Sequence, residues 1–208
     1  NRKVTERVKA LLPEDHFVLG SILPTGRMLR PFGDMEPEEL YEAYRDEVIG
    51  YAQGGADIIW IMTMSDLDEA VIGVKAAKDF SRLPVMAAMA FNPTPKGPRT
   101  IMGVDPKTAA IRLSEAGADI VGHNCGGVGL EQVTRILNEM REVTEKPLVA
   151  KPNAGAPVVV NGEVHWPVTP EDFAVEVGNW VKAGAGVVGG CCGSTPAHAA
   201  AMSRALDK

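Results

Sequence analysis

Apolar positions along the chain alternate between two patterns. Short continuous apolar runs, such as Ile58-Ile59-Trp60 and Ile120-Val121, read as buried strands. Stretches with apolar residues three or four apart, such as Leu40, Tyr44 and Val48, read as helices. One segment echoes three times: Gly54-Gly55-Ala56-Asp57-Ile58-Ile59-Trp60, Ala116-Gly117-Ala118-Asp119-Ile120-Val121-Gly122, and Ala183-Gly184-Ala185-Gly186-Val187-Val188-Gly189. Each copy follows a helical pattern and enters an apolar strand. The intervals are 62 residues from Gly55 to Gly117 and 67 from Gly117 to Gly184. Half of either is a little over ~30 residues, the length of one strand–helix unit. Further strands fall between and before the copies, at Leu83–Ala90, Pro147–Ala150 and Phe17–Ser21, making six.

The helix ends carry their own signals. Pro37, Pro106, Pro170 and Pro196 stand where a first helical residue needs no amide donor. Ser65 with Asp68, and Thr169 with Asp172, predict capping boxes. Gly54, Gly117 and Gly184 are expected to take the left-handed residue after a last turn. Alternating strands and helices with near-continuous apolar strands predict an α/β fold, a parallel sheet covered on both faces. A (β/α)8 TIM-type barrel and an open doubly wound sheet both fit. No G-x-G-x-x-G follows a strand, which speaks against a dinucleotide fold. No linker divides the chain, so residues 1–208 are expected to form one domain.

Composition narrows the function. The chain is 45% hydrophobic and 23% charged, with a formal net charge of −6. That balance argues against nucleic acid or an anionic membrane surface as partner. No apolar run is long enough to span a bilayer and no signal peptide opens the chain, so a cytoplasmic location is expected. Three cysteines are too few for a disulfide scaffold, and in a reducing compartment they are available for metal or catalysis.

All three cysteines fall where strands end. Cys125 closes Val121-Gly122-His123-Asn124-Cys125, and Cys191 and Cys192 close Val187-Val188-Gly189-Gly190-Cys191-Cys192-Gly193. In a barrel these ends share one face, so sites far apart in sequence can converge. Adjacent residues on a regular strand point to opposite faces, so both Cys191 and Cys192 can converge only if the glycines around them bend the chain. Three thiolates would give zinc three of its four ligands and leave one position open, as in a catalytic site. A lone buried cysteine, by contrast, is ordinarily a small hydrophobe. Chemistry alone leaves both readings standing.

Resemblance separates them. Gly190-Cys191-Cys192-Gly193-Ser194-Thr195-Pro196 with His198, and Gly122-His123-Asn124-Cys125, resemble the zinc signature of the homocysteine S-methyltransferase family. Lys151-Pro152-Asn153-Ala154-Gly155-Ala156-Pro157 resembles the P-N-A-G stretch between those motifs, and Gly20-Ser21-Ile22-Leu23-Pro24-Thr25-Gly26 resembles the family's G-S-x-G-P-T-G turn. The likeness runs in order along nearly the whole chain. It implies a (β/α)8 barrel with six of eight units visible, and a zinc ion held by Cys125, Cys191 and Cys192, with Asn153 as a further metal ligand. It implies a substrate pocket that includes Ser21, Met62, Thr63, Asn124 and Asn153. The implied activity is methyl transfer to a zinc-activated thiol such as homocysteine, a step of methionine biosynthesis. The implied partners are a small-molecule thiol and a methyl donor, with a corrinoid protein among the candidate donors.

Two departures qualify the resemblance. The family's opening D-G-A-M-G-T strand and its T-N-T strand have no match, so an N-terminal companion segment or a second copy of the chain is expected to cover an open barrel edge. Where the family carries Glu-Thr after a strand, this chain has Met62-Thr63. Methionine cannot replace a carboxylate that grips an amino group. Two alternatives therefore stay open: a component that demethylates a small substrate onto a corrinoid protein, and a non-catalytic zinc-binding barrel. His123 is expected as a packed neighbour that could reach the metal, His198 as an outer or surface residue, and His16 and His165 as loop residues. Asp57 and Asp119 are expected to be structural, and the loop Asn92–Pro98 to form a rim for the donor.

Overall fold

The computed structural model describes residues 1–207. The order is α1 (Arg2–Leu11), β1 (Leu19–Ile22), α2 (Pro37–Gln53), β2 (Ile58–Met64), α3 (Leu67–Phe80), β3 (Val85–Met89), α4 (Pro106–Glu115), β4 (Ile120–Asn124), α5 (Leu130–Arg141) and β5 (Leu148–Lys151). A hairpin of β6 (Val158–Val160) and β7 (Glu163–His165) follows, then α6 (Pro170–Lys182), β8 (Ala185–Val188) and α7 (Pro196–Leu206). Six parallel strands lie side by side in the order β1-β2-β3-β4-β5-β8. The order never reverses, as a doubly wound sheet would require, so right-handed crossovers place every helix on the same face. This is a partial TIM barrel. β1 pairs only with β2, and β8 only with β5.

The two faces of the sheet differ in what covers them. Ile59, Ile61, Val85, Ala87, Val121, Leu148 and Ala150 turn toward the helices and join the main core with Tyr44, Phe173 and Trp180. The alternate residues Trp60, Met86, Ala88 and Val149 form a second cluster with Leu19, Ile58, Met62, Ile120 and Val187, built from strand residues alone. This second cluster is the barrel interior.

The local signals are mostly obeyed, with two one-residue shifts. All four prolines open their helices, and Thr169 and Asp172 form the capping box. At α3 the cap is Asp66 rather than Ser65; its carboxylate accepts from the N–H groups of Asp68 and Glu69, a stronger acceptor than a hydroxyl at a helix N-terminus. After α2 it is Gly55, not Gly54, that is left-handed, at φ 84°, while Gly117 and Gly184 take that role at φ 107° and 103°. His165 lies in β7 rather than in a loop, and the hairpin it belongs to is exposed.

Candidate metal centre

The chain bends sharply where each cysteine stands. Cys125, one residue past β4, has φ 60°, and Gly126 after it has φ 73°. The left-handed turn takes Cys125 out of strand alternation and turns it away from the helix-covered side, where His123 is buried. Gly126 cannot carry a side chain, because a Cβ there would lie 2.1 Å from the Phe91 carbonyl oxygen. Cys191 and Cys192 lie in the turn beyond β8, and Gly193 follows at φ 76° against the Trp166 ring. The glycine-assisted bend expected from the sequence is therefore present, and Cys191 and Cys192 do converge.

The three sulfurs lie within 4.8 Å of one another, with Cys125 Sγ and Cys192 Sγ 4.0 Å apart. Zinc–sulfur bonds near 2.3 Å in a tetrahedron place the sulfurs about 3.8 Å apart. The donor set and spacing therefore fit one ion with little movement. Among the described residues no His, Asp or Glu joins the group. Three protein ligands with a vacant fourth position is the pattern of a catalytic rather than a structural zinc site.

The segment after β5 braces this arrangement. The Cys125 N–H donates to the Lys151 carbonyl, the Cys191 N–H to the Pro152 carbonyl, and the Ala154 N–H to the Cys192 carbonyl. Asn153 bridges the two cysteine loops: its Oδ1 accepts from the Cys192 N–H at 3.0 Å and its Nδ2 donates to the Gly126 carbonyl at 2.9 Å. Asn153 thus stands beside the cluster with one lone pair of its amide oxygen already engaged.

A second brace links β2 and β4. Thr63 sits at φ 61°, uncommon for a β-branched residue, at the irregularity in the β2–β3 pairing. Two bonds to Asn124 hold it there: the Thr63 N–H donates to Asn124 Oδ1 at 2.7 Å, and Asn124 Nδ2 donates to Thr63 Oγ1 at 2.7 Å. The same Nδ2 lies 3.8 Å from Cys191 Sγ. Cys125 and Cys191 behave as a pair. Cys191 is drawn down to about 5 by the Cys125 S–H, then by the charge of Lys151, the Asn124 amide and the Cys192 N–H. Its bond to Cys191, together with burial, pushes Cys125 up.

The remaining sequence candidates separate cleanly. Met62 packs on the interior cluster, and Ser21, two residues along from Leu19, shares that face. Met64 and Met89 instead belong to the helix-side core. His123 is fully buried on the helix side, with Nδ1 3.3 Å from the Met89 carbonyl and its ring against Phe91, so it is no part of the sulfur cluster. His198 is buried rather than at the surface: Nδ1 accepts from the Thr195 N–H, Nε2 donates to the Val168 carbonyl, and the ring packs on Phe173. His16 is exposed beside Asp15. The loop Asn92–Pro98 folds back through paired Asn92 and Arg99, beside the Gly127 that follows Cys125. Lys151 and Trp60, both on the interior face, are side chains that pattern reading did not single out. The signal was there: a lysine ending an otherwise apolar strand.

Residues 1–206 match the family model for homocysteine S-methyltransferase. The chain belongs to that family. It is 30% identical to methionine synthase of Mycobacterium tuberculosis over 196 residues, covering 91% of this chain and 16% of that protein. Against methionine synthase of Mycobacterium leprae it is 30% identical over 209 residues, covering 95% of this chain and 17% of the other. The chain thus spans under a fifth of these relatives' length. Among solved structures it is similar to the homocysteine methyltransferase MmuM of Escherichia coli in its apo form, with a TM-score of 0.72, 24% identity, and coverage of 98% of this chain and 68% of that one. The metallated form of MmuM gives the same TM-score of 0.72. At that identity the likeness concerns the fold. No helix among the described residues is long and apolar enough to cross a membrane.

Proposed function

We propose that the chain is a zinc-dependent S-methyltransferase that transfers a methyl group to a thiol such as homocysteine. The observation that carries this is the convergence of three cysteine sulfurs at zinc-like spacing, with no His, Asp or Glu joining them among the described residues. Cys125, Cys191 and Cys192 would hold the ion. When bound, zinc would deprotonate an incoming thiol and keep its sulfur nucleophilic at neutral pH. Family membership and the methionine synthase relatives support homocysteine as the acceptor to try first.

The chain's own residues supply position. Asn153 fixes the two cysteine loops relative to each other, and Asn124 locks Thr63 beside Cys191. Ser21 and Met62 line the interior, where the acceptor's tail would lie. The transfer forms a sulfur–carbon bond as the bond from methyl to its donor breaks, and that electron pair leaves with the donor. The thiol proton passes to solvent beforehand. The methyl donor would approach from the open face, either as a small methylated molecule or on a corrinoid protein.

The test is metal analysis joined to a transfer assay. One zinc per chain, methylation of homocysteine, and loss of both on chelation are expected. Full turnover by zinc-free protein would reject the reading.

A further inference from the structure

Lys151 has no counterpart among the groups used so far. It ends β5, on the strand face of Val149, which belongs to the interior cluster, so its side chain enters the barrel. Among the described residues it is the single Asp, Glu, Lys or Arg in the six strands of the sheet. It is half-buried and takes part in no ion pair between described residues. Its stem runs beside Gly189, and its ammonium stands 4.9 Å from the centre of the Trp60 ring. A half-buried ammonium without a carboxylate is costly, and a neutral ring face offsets only part of that cost.

Trp60 carries a second unmet need. Its side chain is 5% exposed, on the same interior face, and its indole N–H has no partner. Buried indole donors ordinarily find an acceptor. Two donors, one of them charged, thus stand unsatisfied in the same interior, with no acidic side chain among the described residues of the six parallel strands. Met62 packs on that cluster as well, so an ammonium group entering here meets a lysine and a thioether.

We propose that Lys151, with the Trp60 indole N–H, seats an anionic group on the acceptor, so that the acceptor is a short thiol bearing a carboxylate or sulfonate. This rests on the thiol-methylation reading above. The sulfur would go to the metal cluster and the anion to Lys151. The site then discriminates by charge: the anion gains a charge-assisted bond in a partly dry interior, and a cation is repelled.

The test uses three thiols of similar length: 3-mercaptopropionate, neutral 2-mercaptoethanol and cationic cysteamine. Their dissociation constants for zinc-loaded protein are measured by calorimetry, without turnover. The native protein is expected to bind 3-mercaptopropionate about ten- to a hundredfold more tightly than 2-mercaptoethanol, with cysteamine weakest. Lys151→Met should collapse the ratio, Lys151→Glu should reverse it toward cysteamine, and Lys151→Arg should keep it. Trp60→Phe, which leaves a ring beneath the lysine, should lower the anion preference severalfold, and it covers the case in which the Lys151 variants fail to fold. Equal affinity of the native protein for all three thiols would overturn this assignment alone. A ratio untouched by Lys151→Met in a zinc-retaining protein would do the same. Zinc-loaded protein that binds none of the thiols would take the acceptor reading down with it.

Discussion

The two ends of the parallel sheet use polar side chains in opposite ways. Where strands begin, the echoed motif satisfies itself. Asp57 accepts the Val18 N–H at 2.7 Å and pairs with Lys9, stapling the start of β2 to the start of β1. Asp119 repeats the device two strand–helix units later, accepting the Val85 N–H at 2.8 Å and pairing with Lys78. In the third copy Gly186 stands in place of the aspartate, and Arg141 does the joining through the carbonyls of Thr144, Lys146 and Gly184. Where strands end, the polar groups are aimed and left incomplete: three thiols around an open position, a left-handed Thr63 held by Asn124, and an unpaired lysine inside. One end closes its hydrogen bonds locally and serves stability, while the other holds the bonding capacity that the proposed metal and acceptor would use.

The sharpest way to break this contrast is at the cysteines. Cys125→Ala, Cys191→Ala and Cys192→Ala are each expected to abolish zinc binding and methyl transfer. Stability of the metal-free protein should move by only about 1 kcal/mol, since no strand or core contact is lost. Metal analysis and urea unfolding read the two effects separately. A Cys191→Ala protein that keeps a full zinc complement would show that the cluster is not the metal centre.

Met62→Glu sharpens the chemistry of the same end. A carboxylate on the interior face would accept an ammonium group and also face the charge of Lys151, so both effects favour amino thiols. The ratio of kcat/KM for homocysteine over 3-mercaptopropionate should rise about ten- to a hundredfold. An unchanged ratio would place Met62 outside the acceptor pocket. Asn153→Ala tests the brace. It removes the links to Cys192 and Gly126, and zinc affinity is expected to fall about ten- to a hundredfold, as for other groups that orient ligands. Competition with a chromogenic chelator measures it, and wild-type affinity would mean the loops hold their places unaided.

The same contrast explains what the sequence could disclose. The strand–helix alternation, the proline starts and the aspartates before strands are local, and all were legible from a few neighbouring residues. The cysteine cluster was legible because resemblance joined motifs that are 66 residues apart, from Cys125 to Cys191. The brace through Asn153 was not, because its bonds run to backbone atoms on two other loops, which no side-chain pattern records. The β6–β7 hairpin was hidden for another reason: its strands are only three residues long and exposed throughout, so they carry no core signal. Of the two places expected for His198, outer layer or surface, burial rules out the surface: its ring packs on Phe173. Lys151 was passed over as part of a motif, and only the barrel shows it facing inward.

The smallest expected effect lies at the other end of the sheet. The Lys9 bond, and then the Val18 N–H, hold the Asp57 carboxyl below the usual carboxylate range. A carboxyl whose folded pKa is depressed contributes stability above its unfolded pKa of about 3.9, and that contribution disappears as pH falls through the folded value. Asp57→Asn removes the charge pair with Lys9 while an amide oxygen still accepts from Val18. The pair is partly exposed, at 40% for Lys9 and 27% for Asp57, so solvent screening limits its worth to about 1 kcal/mol or less. The variant should therefore be slightly less stable than the native protein at pH 7, and the two should converge near pH 3 and below. Urea midpoints at pH 7, 5 and 3 test this, and the metal content at pH 7 should not change. If the gap persists undiminished in acid, Asp57 acts through packing rather than charge. If the variant instead loses zinc, the two ends of the sheet are not separable in the way their geometry indicates.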